Sequence, residues 1–147
     1  MSETIVDAHD VFKFIDEDFK RWGFGSQRYA TRKTSAEAYG LWVNATIKEM
    51  FTPLSSSNLG ALCVTEHQVK LFCKEYQDRM GTRDYLTFFL TKRNPEAPAT
   101  FDNLFAVCVE ARQGEGGLNI YIYGFEYGRM WCAGDHRSYL VVPKLFF

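Results

Sequence analysis

The 147-residue chain predicts an α+β fold in a single domain, residues 1–147: three helices packed on a curved antiparallel sheet of about four to five strands, in the order ααβα and then a β-meander. Three observations predict it. Apolar residues recur at helical spacing before position 82 and at strand spacing after it. The two patterns are segregated into a helical half, 1–81, and a β-rich half, 82–147, which favours α+β over an alternating α/β chain. No internal repeat and no long Gly/Ser/Pro linker divides the halves.

The first helix is predicted from Ile5, Ala8, Phe12, Ile15, Phe19 and Trp22, which step by three and four residues along one stripe. Thr4 caps it, Asp7 takes the third helical position and Gly23 ends it. A second helix is expected from about Ser35 to Phe51. Thr34 and Glu37 form its capping-box pair, Tyr39, Val43, Ile47 and Met50 its stripe, and Pro53 its stop, with Leu41 and Trp42 widening the apolar face. Gly60–Val64 reads as one short buried strand. Thr65 then opens a third helix with Gln68 as capping partner. Its stripe is Val69, Phe72, Cys73, Tyr76 and Met80, and Gly81 closes it.

Tyr85–Thr91 is aromatic and β-branched and predicts a strand, as does Leu104–Arg112 after the loop at 93–100. The glycine-rich turn 114–117 predicts a hairpin to Leu118–Tyr127, with Gly124 marking a bulge or bend. Tyr139–Phe147 is expected as a last strand, at an edge because it contains Pro143.

Two-residue alternation sorts each strand by face. Leu118, Ile120 and Ile122 share one side, and Asn119, Tyr121, Tyr123, Phe125 and Tyr127 the other. Leu86, Phe88 and Leu90 stand opposite Tyr85, Thr87, Phe89 and Thr91. Phe105, Val107 and Val109 stand opposite Leu104, Ala106, Cys108 and Glu110. A sheet with one wet face alternates apolar with polar residues. This sheet instead has an aliphatic face and a second face rich in Tyr and Phe. Each such ring carries roughly 150–250 Å² of surface, so a row of them exceeds what a monomer ordinarily exposes. The second face is therefore wrapped by helices, docked on a partner or a second copy, or curled around an aromatic-lined pocket. On that last alternative, the element order resembles the NTF2-like cone fold, a resemblance of architecture that implies no chemistry.

Apolar residues are 46% of the chain and charged residues 24%, which excludes disorder, and a net charge of −1 removes bulk attraction to nucleic acid or anionic lipid. No apolar run reaches the roughly 18 residues a membrane span needs. The polar start MSETIVDAHD has no signal-peptide pattern, so the expected location is cytoplasmic. Cys63, Cys73, Cys108 and Cys132 are widely spaced and predict reduced thiols.

His9 and His67 read as solvated helix residues. Cys132, Asp135 and His136 place a thiol, a carboxylate and an imidazole within five residues, a pattern that also arises by chance. The pair Cys132 and His136 falls short of the four ligands of a structural zinc site, so neither metal nor cofactor is expected. No phosphate-binding, dinucleotide-binding, zinc-protease or nucleophile-elbow motif is present.

Charge is uneven. Residues 1–18 carry −5, and 19–36 carry +5 through Lys20, Arg21, Arg28, Arg32 and Lys33, interleaved with Trp22, Phe24 and Tyr29. Such interleaving suits single-stranded nucleic acid, but the acidic block next to it repels phosphate, so nucleic acid is not the expected partner.

The expectation is a non-enzymatic protein-binding module that masks a surface, in the manner of an inhibitor, an adaptor, or an immunity-type or phage-encoded antagonist. Its contact residues are Tyr121, Tyr123, Phe125 and Tyr127, with Arg28, Tyr29 and Arg32 beside them, and its partner is another protein or a second copy. The alternative is a small-ligand binder or enzyme with an aromatic-lined pocket in a cone-shaped sheet, using Asp84, His67 or His136.

Overall fold

A computed structural model describes residues 4–25, 35–55, 57–80, 84–112, 114, 117–133 and 137–144. The chain is α+β. Strands β1 (Phe12–Ile15), β2 (Ala36–Gly40), β3 (Tyr85–Lys92), β4 (Leu104–Ala111), β5 (Leu118–Gly124) and β6 (Arg137–Pro143) form one sheet in the order β1-β5-β4-β3-β6-β2. The helices are α1 (Asp18–Arg21), α2 (Ile47–Phe51) and α3 (Glu66–Met80).

The antiparallel meander β3-β4-β5 follows the expected strands, and Gly114 and Gly117 in its hairpin take φ of +79° and +81°. The sheet is mixed and has six strands rather than four or five, because β6 runs parallel to β3 and β1 parallel to β5. The segment before residue 82 is also not all helical, since it supplies both edge strands.

The predicted first helix is replaced by a 3-10 turn at Ile5–Asp7, by β1 and by the single-turn α1. Ile5, Ala8, Phe12 and Phe19 are buried as the stripe required, but burial does not dictate helix. Asp16 diverts the backbone: its Oδ1 accepts from Asp18 N at 3.0 Å and its Oδ2 from Ile122 N at 3.3 Å. A short carboxylate that bonds backbone in this way competes with helical hydrogen bonding.

The second helix shrinks to five residues. Its true cap is Thr46, whose Oγ1 accepts from Glu49 N at 3.3 Å while Thr46 N donates to Glu49 Oε1 at 3.0 Å. The Ser/Thr-x-x-Glu signature occurs twice, and residues after the first copy pair with β6 as β2 instead. Residues Leu59–Leu62 form a 3-10 turn in place of the expected short strand; Cys63 alone bridges to Leu90.

Helix α3 keeps its predicted start, with Gln68 N donating to Thr65 Oγ1 at 3.2 Å and Thr65 N to Gln68 Oε1 at 2.9 Å. Gly81 lies outside the described residues.

Strand β6 is interior rather than an edge. Lys144 N donates to Ser35 O at 2.7 Å and Leu41 N to Ser138 O at 2.9 Å. Even-numbered residues of β6 therefore bond β2, and the N–H that Pro143 lacks points towards β3, past the last pair at Phe89 and Val141.

Both sheet faces are packed. Phe89, Val107, Val109, Ile120, Ile122 and Val141 meet α3 and the N-terminal segment through Val69, Cys73, Ile5 and Phe19. Phe88, Leu90, Ala106, Cys108, Leu140 and Val142 meet Ile47, Phe51, Leu62 and Trp131. The strand faces agree with the alternation read from sequence.

Candidate functional site

The second face is covered unevenly. Phe88, Leu90 and Ala106 on β3 and β4 are fully buried. On β5, Tyr121 and Tyr123 are half-buried, and on the edge strand Phe14 is 48% exposed. Cover from α2 and the 3-10 turns thus gives out towards β5 and β1, and the rings there stay in contact with water.

Phe14 reaches this face through a bulge. Phe12 pairs with Leu118, but Phe14 pairs with Asn119, which leaves Lys13 as the extra residue. One inserted residue reverses which side the following side chain occupies. Phe12 therefore enters the α3-side core, while Phe14 sits 5.4 Å from the Tyr121 ring.

The rings continue towards the end of β5. Tyr123 stacks on Tyr127 at 5.4 Å with an interplanar angle of 21°, and Trp131 meets Tyr123 edge-on at 5.1 Å. Trp131 is held by paired backbone bonds with Ala45 and seats its ring against Phe88 at 5.3 Å. Arg129 lies over the Trp131 ring, 5.1 Å from its centroid. Tyr127 is 49% and Met130 53% exposed. At the opposite end of the row, Glu110 accepts from Asn119 Nδ2 at 3.0 Å and from Arg112 Nε at 3.1 Å.

Burial pushes the Tyr123 hydroxyl up to about 12, and burial and then Glu110 raise that of Tyr121. Both phenols are neutral at physiological pH and present O–H donors beside apolar ring faces. A row of this kind can bury aromatic area and offer hydrogen bonds, the combination found at interface hot spots.

Of the residues singled out from sequence, Tyr121, Tyr123 and Tyr127 are brought together. Phe125 is 1% exposed and lies under Phe101 at 5.2 Å, so it supports the surface from below rather than meeting a partner. Arg28, Tyr29, Arg32, Asp135 and His136 lie outside the described residues. Cys132 and His9 are exposed, and Asp84 is exposed at the start of β3. His67 is 8% exposed, so it is not the solvated helix residue expected.

Sequence reasoning missed Phe14, Arg129 and Trp131. Phe14 falls off the stripe of the predicted first helix, and that misfit was its signal. Trp42 and Val43, expected on the apolar face of the second helix, instead follow β2 in a loop and are 89% and 69% exposed.

Among the described residues, no group of three or more His, Cys, Asp and Glu side chains is placed to hold a metal ion, and no helix is long and apolar enough to cross a membrane. No family model matches the chain, and neither a curated protein nor a solved structure matches it.

Proposed function

We propose that the chain is a non-enzymatic protein-binding module that masks a partner's surface, in the manner of an inhibitor, an adaptor, or an immunity-type or phage-encoded antagonist acting in the cytoplasm. One observation carries the reading: Phe14, Tyr121, Tyr123 and Tyr127 lie along one margin of the second face, half-buried or exposed, while every neighbouring β4 side chain on that face but Glu110 is sealed. Half-buried tyrosines on a rigid strand lose little side-chain freedom when covered and return a large apolar area. Arg129 and Arg112 flank the row, and arginine is the cation most enriched at such surfaces. Residues Arg28, Tyr29 and Arg32 complete the proposal as a flanking contact. A second copy of the chain docking by the same face is the variant of this reading in which the partner is self.

The rival reading, a ligand pocket inside an NTF2-like cone, has thinner support, because side chains on both faces of the sheet pack against covering elements.

A photoreactive residue at position 121 or 127 tests the proposal against a control at exposed Lys74 on α3. Adducts in host lysate from 121 and 127 but not from 74 are expected, with Phe14→Ala or Tyr123→Ala weakening the captured complex by about tenfold or more, as hot-spot truncation does. Light scattering on the purified chain separates a foreign partner from self. Equal capture at 74, or no adduct from either aromatic position together with a monomeric chain, refutes it.

A further inference from the structure

The two edges of the sheet are built differently. Strand β1 is four residues long and bulged at exposed Lys13, devices that keep a foreign strand from pairing. Strand β2 has neither: its register with β6 runs unbroken from Ala36 to Gly40, without proline or lysine. Ser35 O accepts from Lys144 N and Leu41 N donates to Ser138 O, so odd-numbered residues of β2 bond β6. The N–H and C=O groups of Ala36, Ala38 and Gly40 therefore point outward, and no described strand takes them. The one charge on β2, Glu37, accepts from the Tyr39 hydroxyl at 2.6 Å and belongs to the opposite face from the two alanines.

A knob and a hole lie on the same face of this edge. Trp42 is 89% exposed, and a Cβ built on Gly40 would lie 3.8 Å from its Nε1. The indole thus stands on the side of the sheet that Ala36 and Ala38 share, because side chains alternate along a strand. On that side a cavity of about 400 Å³ opens between α3 and β2. Ala36, Phe72, Tyr76 and Val141 give it apolar walls, and Gln68 and Glu75 bring acceptor oxygens suited to an indole N–H. A void of roughly 150 Å³ already takes a benzene ring, so this one has room for an indole. Trp42 does not fill the cavity of its own molecule. Its ring lies over Gly40, whereas the cavity is reached at Ala36, about 13 Å along the strand.

We propose that β2 pairs antiparallel with β2 of a second copy about a two-fold axis through Ala38, each Trp42 entering the other copy's cavity. Pairing Ala38 with its own equivalent sets Gly40 opposite Ala36 of the second copy, and every outward N–H and C=O of these residues then finds a partner. The indole over Gly40 comes to stand beside the alanine that lines the other copy's cavity. The same register sets Glu37 opposite Tyr39 of the second copy, a carboxylate against a hydroxyl donor, with no like charges face to face. A two-fold axis brings knob to hole twice, a match built into this strand, whereas an unrelated strand would satisfy the backbone alone. Two indoles of roughly 150–250 Å² each, the surface beneath them and the two strands bury on the order of 1,000 Å², the size of a reversible dimer. The aromatic row lies across β5 and β1 at the other end of the sheet, so this interface leaves it uncovered.

Sedimentation velocity on the full chain, from micromolar to millimolar concentration, tests the interface. A concentration-dependent dimer is expected, weakened about tenfold or more by Trp42→Ala, as truncation of a buried anchor does. Ala38→Lys and Ala38→Glu each set like charges against each other at the axis and are expected to be monomeric. An equimolar mixture of the two is expected to recover the dimer, because the charges then oppose in sign. A chain that stays monomeric at millimolar concentration, a dimer unmoved by Trp42→Ala, or folded charge variants that do not re-form the dimer on mixing overturns the inference. Trp42→Ala, at a site 89% exposed, decides the matter even if a charged variant does not fold. A dimer lost in Tyr123→Ala but kept in Ala38→Lys assigns self-association to the aromatic row instead. Adducts from positions 121 and 127 with a monomeric chain remove the edge pairing alone and leave the masking reading standing.

Discussion

Asn103 organises the loop between β3 and β4 almost by itself. It is 5% exposed; its Nδ2 reaches the carbonyls of Asn94 at 3.1 Å and Pro98 at 2.9 Å, and its Oδ1 accepts from Asn94 N at 2.9 Å. Truncation removes the partner of part-buried backbone groups in the loop, so Asn103→Ala is expected to cost about 1–2 kcal/mol in urea unfolding, with Asn94 and Pro98 losing order first. A loss under half a kcal/mol would show that water replaces the amide. Glu66, at the start of α3, makes a different kind of tie. Its carboxylate accepts from Ile5 N at 3.3 Å and Gly25 N at 3.2 Å, yet burial outweighs these bonds and raises its pKa. A carboxyl raised on folding binds more protons in the native state, so its contribution to stability is present below the ordinary carboxylate pKa and is lost as pH rises through the raised value. Relative to Glu66→Gln, the wild type is therefore expected to gain stability on acidification through that window. A parallel pH dependence in the two proteins would remove Glu66 as the cause.

At the level of elements, β1 is held to β5 by Asp16 as well as by its own four residues. Asp16 N donates to Ile120 O at 3.0 Å and its side chain accepts from Ile122 N, extending the parallel pairing beyond Ile15. Asp16→Ala is expected to destabilise the protein by about 1–2 kcal/mol and to speed amide exchange at Ile122 and Asp18 more than in β4; uniform acceleration across the sheet would show that β1 does not act as a local unit. The same residue explains what was legible in the sequence. Helix α3 and strands β3 to β5 were readable because capping box, glycine turn and alternation all agree within a few residues. The stripe Ile5–Trp22 was not, because spacing of three and four reports burial, and β1 acquires its conformation from β5 more than a hundred residues away. Strand β2 was hidden for the same reason, since its only partner among the described strands is β6. Of the surface, Tyr121, Tyr123 and Tyr127 followed from alternation, whereas Phe14, marked only by its misfit to the helical stripe, required a bulge, and Trp131 required a bridge to Ala45 that leaves no local mark.

The molecule as a whole consists of one sheet shared by two cores, and the thiols sample both. Cys73 belongs to the core under α3 and Cys108 to the core under α2. Burial pushes both thiols well above their usual value and Cys63 up to about 12, while Cys132 is exposed. Thiolate is the reactive species, so Cys132 is expected to consume a thiol reagent rapidly in the native protein, and Cys63 slowly despite its partial exposure. Cys73 and Cys108 then react only through opening of the structure. Val107 and Val109 point into one core from β4 while Ala106 and Cys108 point into the other, so neither layer can lose its floor without disturbing the opposite one. The partner strands are drawn from distant parts of the chain, with β1 closing one edge and β2 the other, which favours a single cooperative unit over independent halves. Labelling of Cys73 and Cys108 is therefore expected to proceed at one rate and to accelerate with urea along one slope, matching global unfolding. Faster labelling of Cys108 with a shallow urea dependence would reveal that the α2 layer lifts alone. The aromatic margin above it would then be the edge of a movable cover, and docking there would be coupled to opening rather than to a preformed face.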